Sequence, residues 1–247
     1  MLTRIKLALD TDAALNPNNG SLFQGALMER IDSNYADFLH ISQLKPYSQY
    51  VSCSKGEYTW IVQTLTETAK FEIIDETNLK NLTSVYLKYL DENISVVNTE
   101  CETVTREELL KQTYFAECPR YIKILFATPT AFKVSGSYLF YPALEQIFRS
   151  LIQKYDAFSQ NTEIYDESLI YDLAENVTVA GYNIRSTRFS LEGVKIPSFT
   201  GTLNLKISGP QQLVNLVHLL LKYGTYSGVG VKTAIGMGAL KILERKG

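Results

Sequence analysis

Two histidines are the only imidazoles among the 247 residues, and they sit in different settings. Imidazole titrates near neutrality and is the commonest carrier of protons in catalysis, so the question for each is whether a substrate reaches it. On a helical wheel His218 falls beside Gln211, Asn215 and Lys222 and opposite Leu213, Val217 and Leu220, which reads as solvent-facing. His40 stands near the end of an apolar stripe formed by Phe23, Leu27, Ile31 and Phe38, in a helix expected from Ser21. It is followed by "ISQLKPYSQY", which brings Lys45 close behind it. Spacing alone leaves His40 open to a structural reading as well as a chemical one, and Lys45 beside Pro46 is equally at home as an exposed cation. Tyr35 and Tyr47 flank the same stretch, but in a chain with 16 tyrosines that proximity assigns them no role.

A second chemical signal lies near the other end, in "SGVGVKTAIGMGAL" from Ser227. Gly228, Gly230, Gly236 and Gly238 form a symmetric pattern of G-h-G, five residues, and G-h-G, where h is apolar, with Lys232 inside it. Glycine at such density calls for positive φ or a close-approaching partner. A dinucleotide fingerprint is excluded because Thr233 stands where its third glycine belongs, and a P-loop because Gly236 is followed by Met237 rather than Lys. The remaining reading has Val229 and Met237 anchored in the core, with amides between them and Lys232 offered to phosphate oxygens. A tight turn before a final strand, "ALKIL", is the plainer alternative. The helix expected before this loop directs its negative end there, so the loop amides and the lysine must carry any anion themselves.

The elements that position these residues fall into two halves. Thr3 to Leu9 reads as a strand, "NPNNG" as a turn, and Tyr50 to Cys53 and Tyr58 to Leu65 as strands around the "SKGE" turn. From Tyr121, "YIKILFATP" and "AFKVSGSYLFYP" precede a helix over Ala143 to Lys154 and an acidic, partly helical stretch. Two long strands then turn near Glu192 to Val194, with Pro197 favouring an edge or bulge, and a helix after Pro210 stops at Gly224. Both halves suggest the ferredoxin-like split βαβ plan, so the expected class is α+β: tandem ferredoxin-like (RRM-like) domains, 1–117 and 118–247, with antiparallel sheets and a C-terminal glycine-rich loop.

With these elements around it, the glycine pattern and its central basic residue resemble the glycine-rich loop of the CRISPR-associated repeat-cleaving endoribonucleases. These belong to the repeat-associated mysterious protein superfamily. The resemblance extends to the tandem plan over essentially the whole chain and to a histidine after the first helix, in "NYADFLHISQLKPYSQY". It implies a metal-independent endoribonuclease that cuts precursor CRISPR RNA within each repeat, leaving 2',3'-cyclic phosphate and 5'-hydroxyl ends. It also implies catalytic roles for His40 and Lys45, the latter stabilising the pentavalent phosphate. RNA contacts fall to Arg185 and Arg188 on the long hairpin and to Gly228, Gly230, Lys232, Gly236 and Gly238. No cofactor or metal is implied; the partners are CRISPR repeat RNA and, transiently, a CRISPR effector complex. A non-catalytic RNA-binding subunit of such a complex is the alternative, and His40 speaks for cleavage.

Composition agrees with a folded protein: 45% hydrophobic and 20% charged residues, with a net charge of -2. That charge is uneven, since from Gly181 onward nine lysines and arginines face only Glu192 and Glu244, giving +7 against -9 for the preceding 180 residues. Such a bias points to a polyanion partner, although a bias along sequence is not yet a patch in space. Cys53, Cys101 and Cys118 are odd in number and lack a C-x-x-C pair, which suggests neither a disulfide framework nor a zinc site. G-x-S-x-G is absent, and the acidic segment "YDESLIYDLAEN" reads as a solvated face. The charged N-terminal segment lacks a signal-peptide core, and no apolar run approaches the length of a membrane span, so the expected location is cytoplasmic, with no membrane partner.

Overall fold

The computed structural model describes residues 1–54, 56–159 and 163–244. Lys55 of the "SKGE" turn, and Arg245 and Lys246 of the basic count, lie outside the described residues. In chain order the elements are β1 (Leu2–Asp10), α1 (Gly20–Met28), α2 (Ser33–Ile41), β2 (Tyr47–Ser54), β3 (Glu57–Thr64), α3 (Glu67–Lys70), β4 (Ser84–Leu87), β5 (Glu92–Val104) and α4 (Arg106–Gln112). The second series is β6 (Tyr121–Thr130), β7 (Phe132–Val134), β8 (Ser137–Leu139), α5 (Leu144–Phe158), α6 (Glu167–Asn176), β9 (Val177–Leu191), β10 (Val194–Ile207), α7 (Gln211–Ser227) and β11 (Leu240–Leu243).

The first sheet has the order β2-β3-β1-β5-β4 and the second β11-β6-β10-β9, all neighbours antiparallel. Counting from the first strand of each unit, both follow the interleaved order of the ferredoxin-like split βαβ plan, β4 being an extra edge strand. In β1, Ile5, Leu7 and Leu9 are buried while Arg4 and Lys6 alternate onto the opposite, partly open face. Pro197 lies where β10 pairs with β9 alone, beyond its last contact with β6 at Phe199, so its missing N–H costs the sheet no bond. The β9–β10 turn uses positive φ at Glu192 (48°) and Gly193 (80°), as expected for a hairpin at this position.

The single first helix expected from the apolar stripe is instead two. Asp32 breaks it: its carboxylate accepts from the N–H groups of Asn34 (2.9 Å) and Tyr35 (3.4 Å) and starts α2 on a new axis. Phe38 therefore leaves the stripe and is 48% exposed, while Phe23, Leu27 and Ile31 stay in the core. The two units interlock. Leu109 of α4 packs into the second core, and Ala234, beyond α7, packs into the first.

His218 also departs from expectation. Its helix face meets the connector between the units rather than solvent: Nε2–H of His218 donates to Pro119 O (2.8 Å), and Gln211 donates to Cys118 O (2.9 Å). Asn215 donates to Ala116 O (2.6 Å) and accepts from the Cys118 N–H (3.3 Å). Burial lowers the His218 pKa, opposed by its bond to Pro119. The folded state thus resists a proton that the unfolded chain accepts, so this stabilisation holds at neutral pH and is lost as pH falls below about 6.5. His218→Ala is expected to cost about 1 kcal/mol at pH 7.5 and less at pH 5.5. Thermal unfolding at the two pH values checks this, and a cost that grows toward acid contradicts it.

Candidate active site and nucleic-acid interface

His40 occupies the last turn of α2 with its side chain exposed. The helix end that carries it is fastened by Lys45, whose ammonium turns back to the carbonyls of Leu39, Ser42 (2.5 Å) and His40 (3.4 Å). A cation on these otherwise unpaired carbonyls also complements the helix dipole. Burial lowers the Lys45 pKa below the usual lysine value. Tyr47 is buried, with its hydroxyl toward Met28 Sδ (3.8 Å), and Tyr35 packs against Phe38 at 5.5 Å between ring centroids. Burial pushes both phenols up to about 12, so both are neutral at physiological pH.

The glycine loop runs from the end of α7 through a 3₁₀ turn, Thr233–Ile235, to β11. Its four glycines all have positive φ: 64° at Gly228, 78° at Gly230, 112° at Gly236 and 71° at Gly238. The close partner that glycine makes room for is protein. A Cβ at Gly230 would stand 2.3 Å from Ala131 O, at Gly238 2.0 Å from Val229 O, and at Gly236 3.0 Å from the Cα of Gly20. Val229 and Met237 are buried, as the anchoring pattern requires.

Many loop amides are also spent inside the fold. The N–H of Val229 donates to Gly238 O (2.8 Å), that of Val231 to Ala131 O (3.0 Å), that of Gly238 to Pro129 O (3.0 Å) and that of Gly230 to Ser150 Oγ (2.8 Å). The offered stretch is narrower than the sequence suggested: among the described residues, the amides of Lys232, Thr233, Ala234 and Gly236 lack such a bond. Two buried side chains absent from the sequence-based site clamp the loop. Gln49 of β2 donates to Ala234 O (3.1 Å) and Gly20 O (2.8 Å) while accepting from Trp60 Nε1 (3.0 Å). Lys154 of α5 donates to the carbonyls of Ser227 (3.3 Å) and Gly228 (3.1 Å) and to Thr233 Oγ1 (3.2 Å).

A cleft of about 470 Å³ opens between this loop, α5 and the Gln43–Lys45 segment that follows His40. Five cations line it, Lys45, Lys133, Arg149, Lys154 and Lys232, and no carboxylate does. Arg149 is offset by Glu145 and Glu167 (3.1 and 2.5 Å), which leaves the lysines to set its sign. Clefts lined by one sign of charge concentrate counter-ions of the other, here a polyanion. The fold thus joins Lys45, Lys232 and the loop in one place, beside the helix end bearing His40.

Arg185 lies elsewhere. Its Nε donates to Thr200 Oγ1 (3.3 Å), and it lines a groove of about 440 Å³ with Lys241 and the β2 residues Tyr50–Ser54. Tyr50, Ser52 and Lys241 are shared with an adjoining groove that adds Arg4, Lys6 and Lys222. Arg188 is exposed opposite Pro197, toward the hairpin tip and outside these linings. Among the described residues no three His, Cys, Asp or Glu side chains gather to hold a metal ion, and no helix is long and apolar enough to cross a membrane.

Comparison with known proteins finds relatives over nearly the whole chain. The family model of the CRISPR-associated endoribonuclease Cas6 matches residues 124–240. The chain is 36% identical over 224 residues to a CRISPR-associated endoribonuclease Cas6 of Streptococcus thermophilus, covering 91% of each chain. It is 31% identical to the Mycobacterium tuberculosis protein of the same name, covering 98% of this chain and 78% of the relative. A solved Cas6 product complex superposes with a TM-score of 0.80 at 22% identity, over 98% of this chain and 100% of that one.

Proposed function

The chain belongs to the Cas6 family of CRISPR-associated endoribonucleases, and from that premise we propose that it cuts precursor CRISPR RNA within repeats, without a metal ion, by attack of a 2'-hydroxyl on its own 3'-phosphate. The 2'-oxygen bonds to phosphorus as its proton leaves, and the bond to the 5'-oxygen of the next nucleotide breaks as that oxygen gains a proton. The ends formed are a 2',3'-cyclic phosphate and a 5'-hydroxyl. His40 moves the proton, a service worth roughly 100- to 10,000-fold. Lys232 and the loop amides hold the phosphate, while Lys45, expected to stabilise the pentavalent phosphate directly, instead has its ammonium on the carbonyls around His40 and fixes the helix end that aims the imidazole. The RNA continues into the basic grooves that include Arg185.

The observation that carries this reading is the lysine-lined cleft whose Lys45 is bonded to the backbone carbonyl of the exposed His40. Product end groups test the chemistry. Mass spectrometry is expected to find the cyclic phosphate, and a 2'-deoxynucleotide before the cut is expected to block it; a 3'-hydroxyl product contradicts the proposal. The cut takes place in the cytoplasm, and the guide unit passes to a CRISPR effector complex with which the protein associates transiently.

Lys232→Ala is expected to weaken repeat-RNA binding and to lower the slope of log affinity against log salt by about 0.7, one phosphate contact with a single strand. Titrations across a salt series measure both. An unchanged slope and affinity remove Lys232 from the interface.

A further inference from the structure

The reaction as described makes no use of Lys154, yet burying an ammonium without a carboxylate partner is costly. It is 6% exposed, and its three bonds go to neutral oxygens: Ser227 O, Gly228 O and Thr233 Oγ1. The first two belong to the end of α7, a helix of 17 residues whose negative pole points into the loop that must accept phosphate. Left alone, that pole repels RNA.

We propose that Lys154 is a positioning residue for the RNA: as an ammonium it cancels the negative pole of α7 and ties Gly228 to Thr233, and RNA binding in the cleft takes up a proton at this amine. The proton comes from solvent, and the phosphodiester stays an anion. Burial pushes the amine down to about 7, so in the free protein it is an ammonium below that pH and increasingly neutral above it. The charged groups facing the cleft with it are Lys45 after α2, Lys133 of β7, Arg149 of its own helix and Lys232 of the loop; α7 contributes the neutral phenol of Tyr223, bonded to Lys154 O at 3.1 Å. All four charged groups are cations, which favour the neutral amine. An incoming phosphate reverses that balance and raises the proton affinity.

The inference rests on the reading of the cleft as the RNA site. Repeat RNA with a 2'-deoxynucleotide before the cut is titrated into the wild type, Lys154→Gln, Lys154→Met and Lys232→Ala between pH 6 and 9, with thermal unfolding confirming that each is folded. Lys154→Gln keeps two of the three donors for the loop and removes the charge. Expected is roughly tenfold weaker binding by both Lys154 variants at pH 6, the factor one cation at a helix C-terminus supports. That gap should shrink as pH rises above about 7 toward 9, where the wild-type amine loses its proton in complex as well as free. Calorimetry of the wild type at pH 8, in buffers of different ionisation heat, should show proton uptake that Lys154→Gln lacks.

A gap that does not change with pH, or wild-type binding without proton uptake, overturns the proposal and leaves Lys154 a structural residue. If the Lys154 variants bind as the wild type does and only Lys232→Ala is weakened, the inference fails and the cleft reading stands. If all three variants bind like the wild type, both fail.

Discussion

His40→Ala is expected to cut repeat RNA at less than about a hundredth of the wild-type rate while binding it almost as well, since positioned acid–base help is worth at least that factor. The structure makes this a clean substitution. The imidazole is exposed, so its loss opens no cavity, and Lys45 holds the helix end through backbone carbonyls that alanine retains. Neither Tyr35 nor Tyr47 is poised to replace it, because burial keeps both phenols protonated and Tyr47 is sealed in the core. Single-turnover rates at saturating protein, beside affinity for uncleavable RNA, separate chemistry from binding. A variant retaining more than about a hundredth of the rate would acquit His40 of proton transfer.

The second large effect falls on stability. Gly230→Ala is expected to cost roughly 2–5 kcal/mol, combining the strain of a non-glycine residue at positive φ with overpacking. Its new methyl would stand 2.3 Å from Ala131 O, the same carbonyl that accepts from Val231, so relief of the clash breaks a loop bond. RNA affinity should fall together with the melting temperature. An RNA-facing glycine would instead give weaker binding in a protein of unchanged stability, and that result in thermal unfolding and titration of one sample would contradict the packing account.

Much of the fold was legible because strand alternation and turn chemistry are local. The β9–β10 hairpin, the interior anchors Val229 and Met237, and the edge position of Pro197 follow from residue type and spacing alone. Polar residues buried by contacts distant in sequence were not legible. The Gln211–Asn215–His218 stripe reads as surface on its own helix, and nothing in the sequence marks Gln49 or Lys154; only tertiary packing supplies the carbonyls that satisfy them. The helix break at Asp32 carried a readable signal, a capping residue followed by polar Ser33 and Asn34, which the longer apolar stripe obscured.

The charge bias was half of the story. Lys232, Lys241, Lys222 and Arg185 do line the clefts, but they meet Arg4, Lys6, Lys45, Lys133, Arg149 and Lys154 from the acidic part of the chain. Patches are assembled by the fold from both halves.

The most direct test of the central claim is cleavage of repeat RNA in excess EDTA by wild-type protein and His40→Ala side by side. The account predicts a single cut per repeat by the wild type, at a rate unaffected by the chelator, and no comparable cut by the variant. Cleavage that stops with EDTA, or that proceeds equally in both proteins, would contradict it.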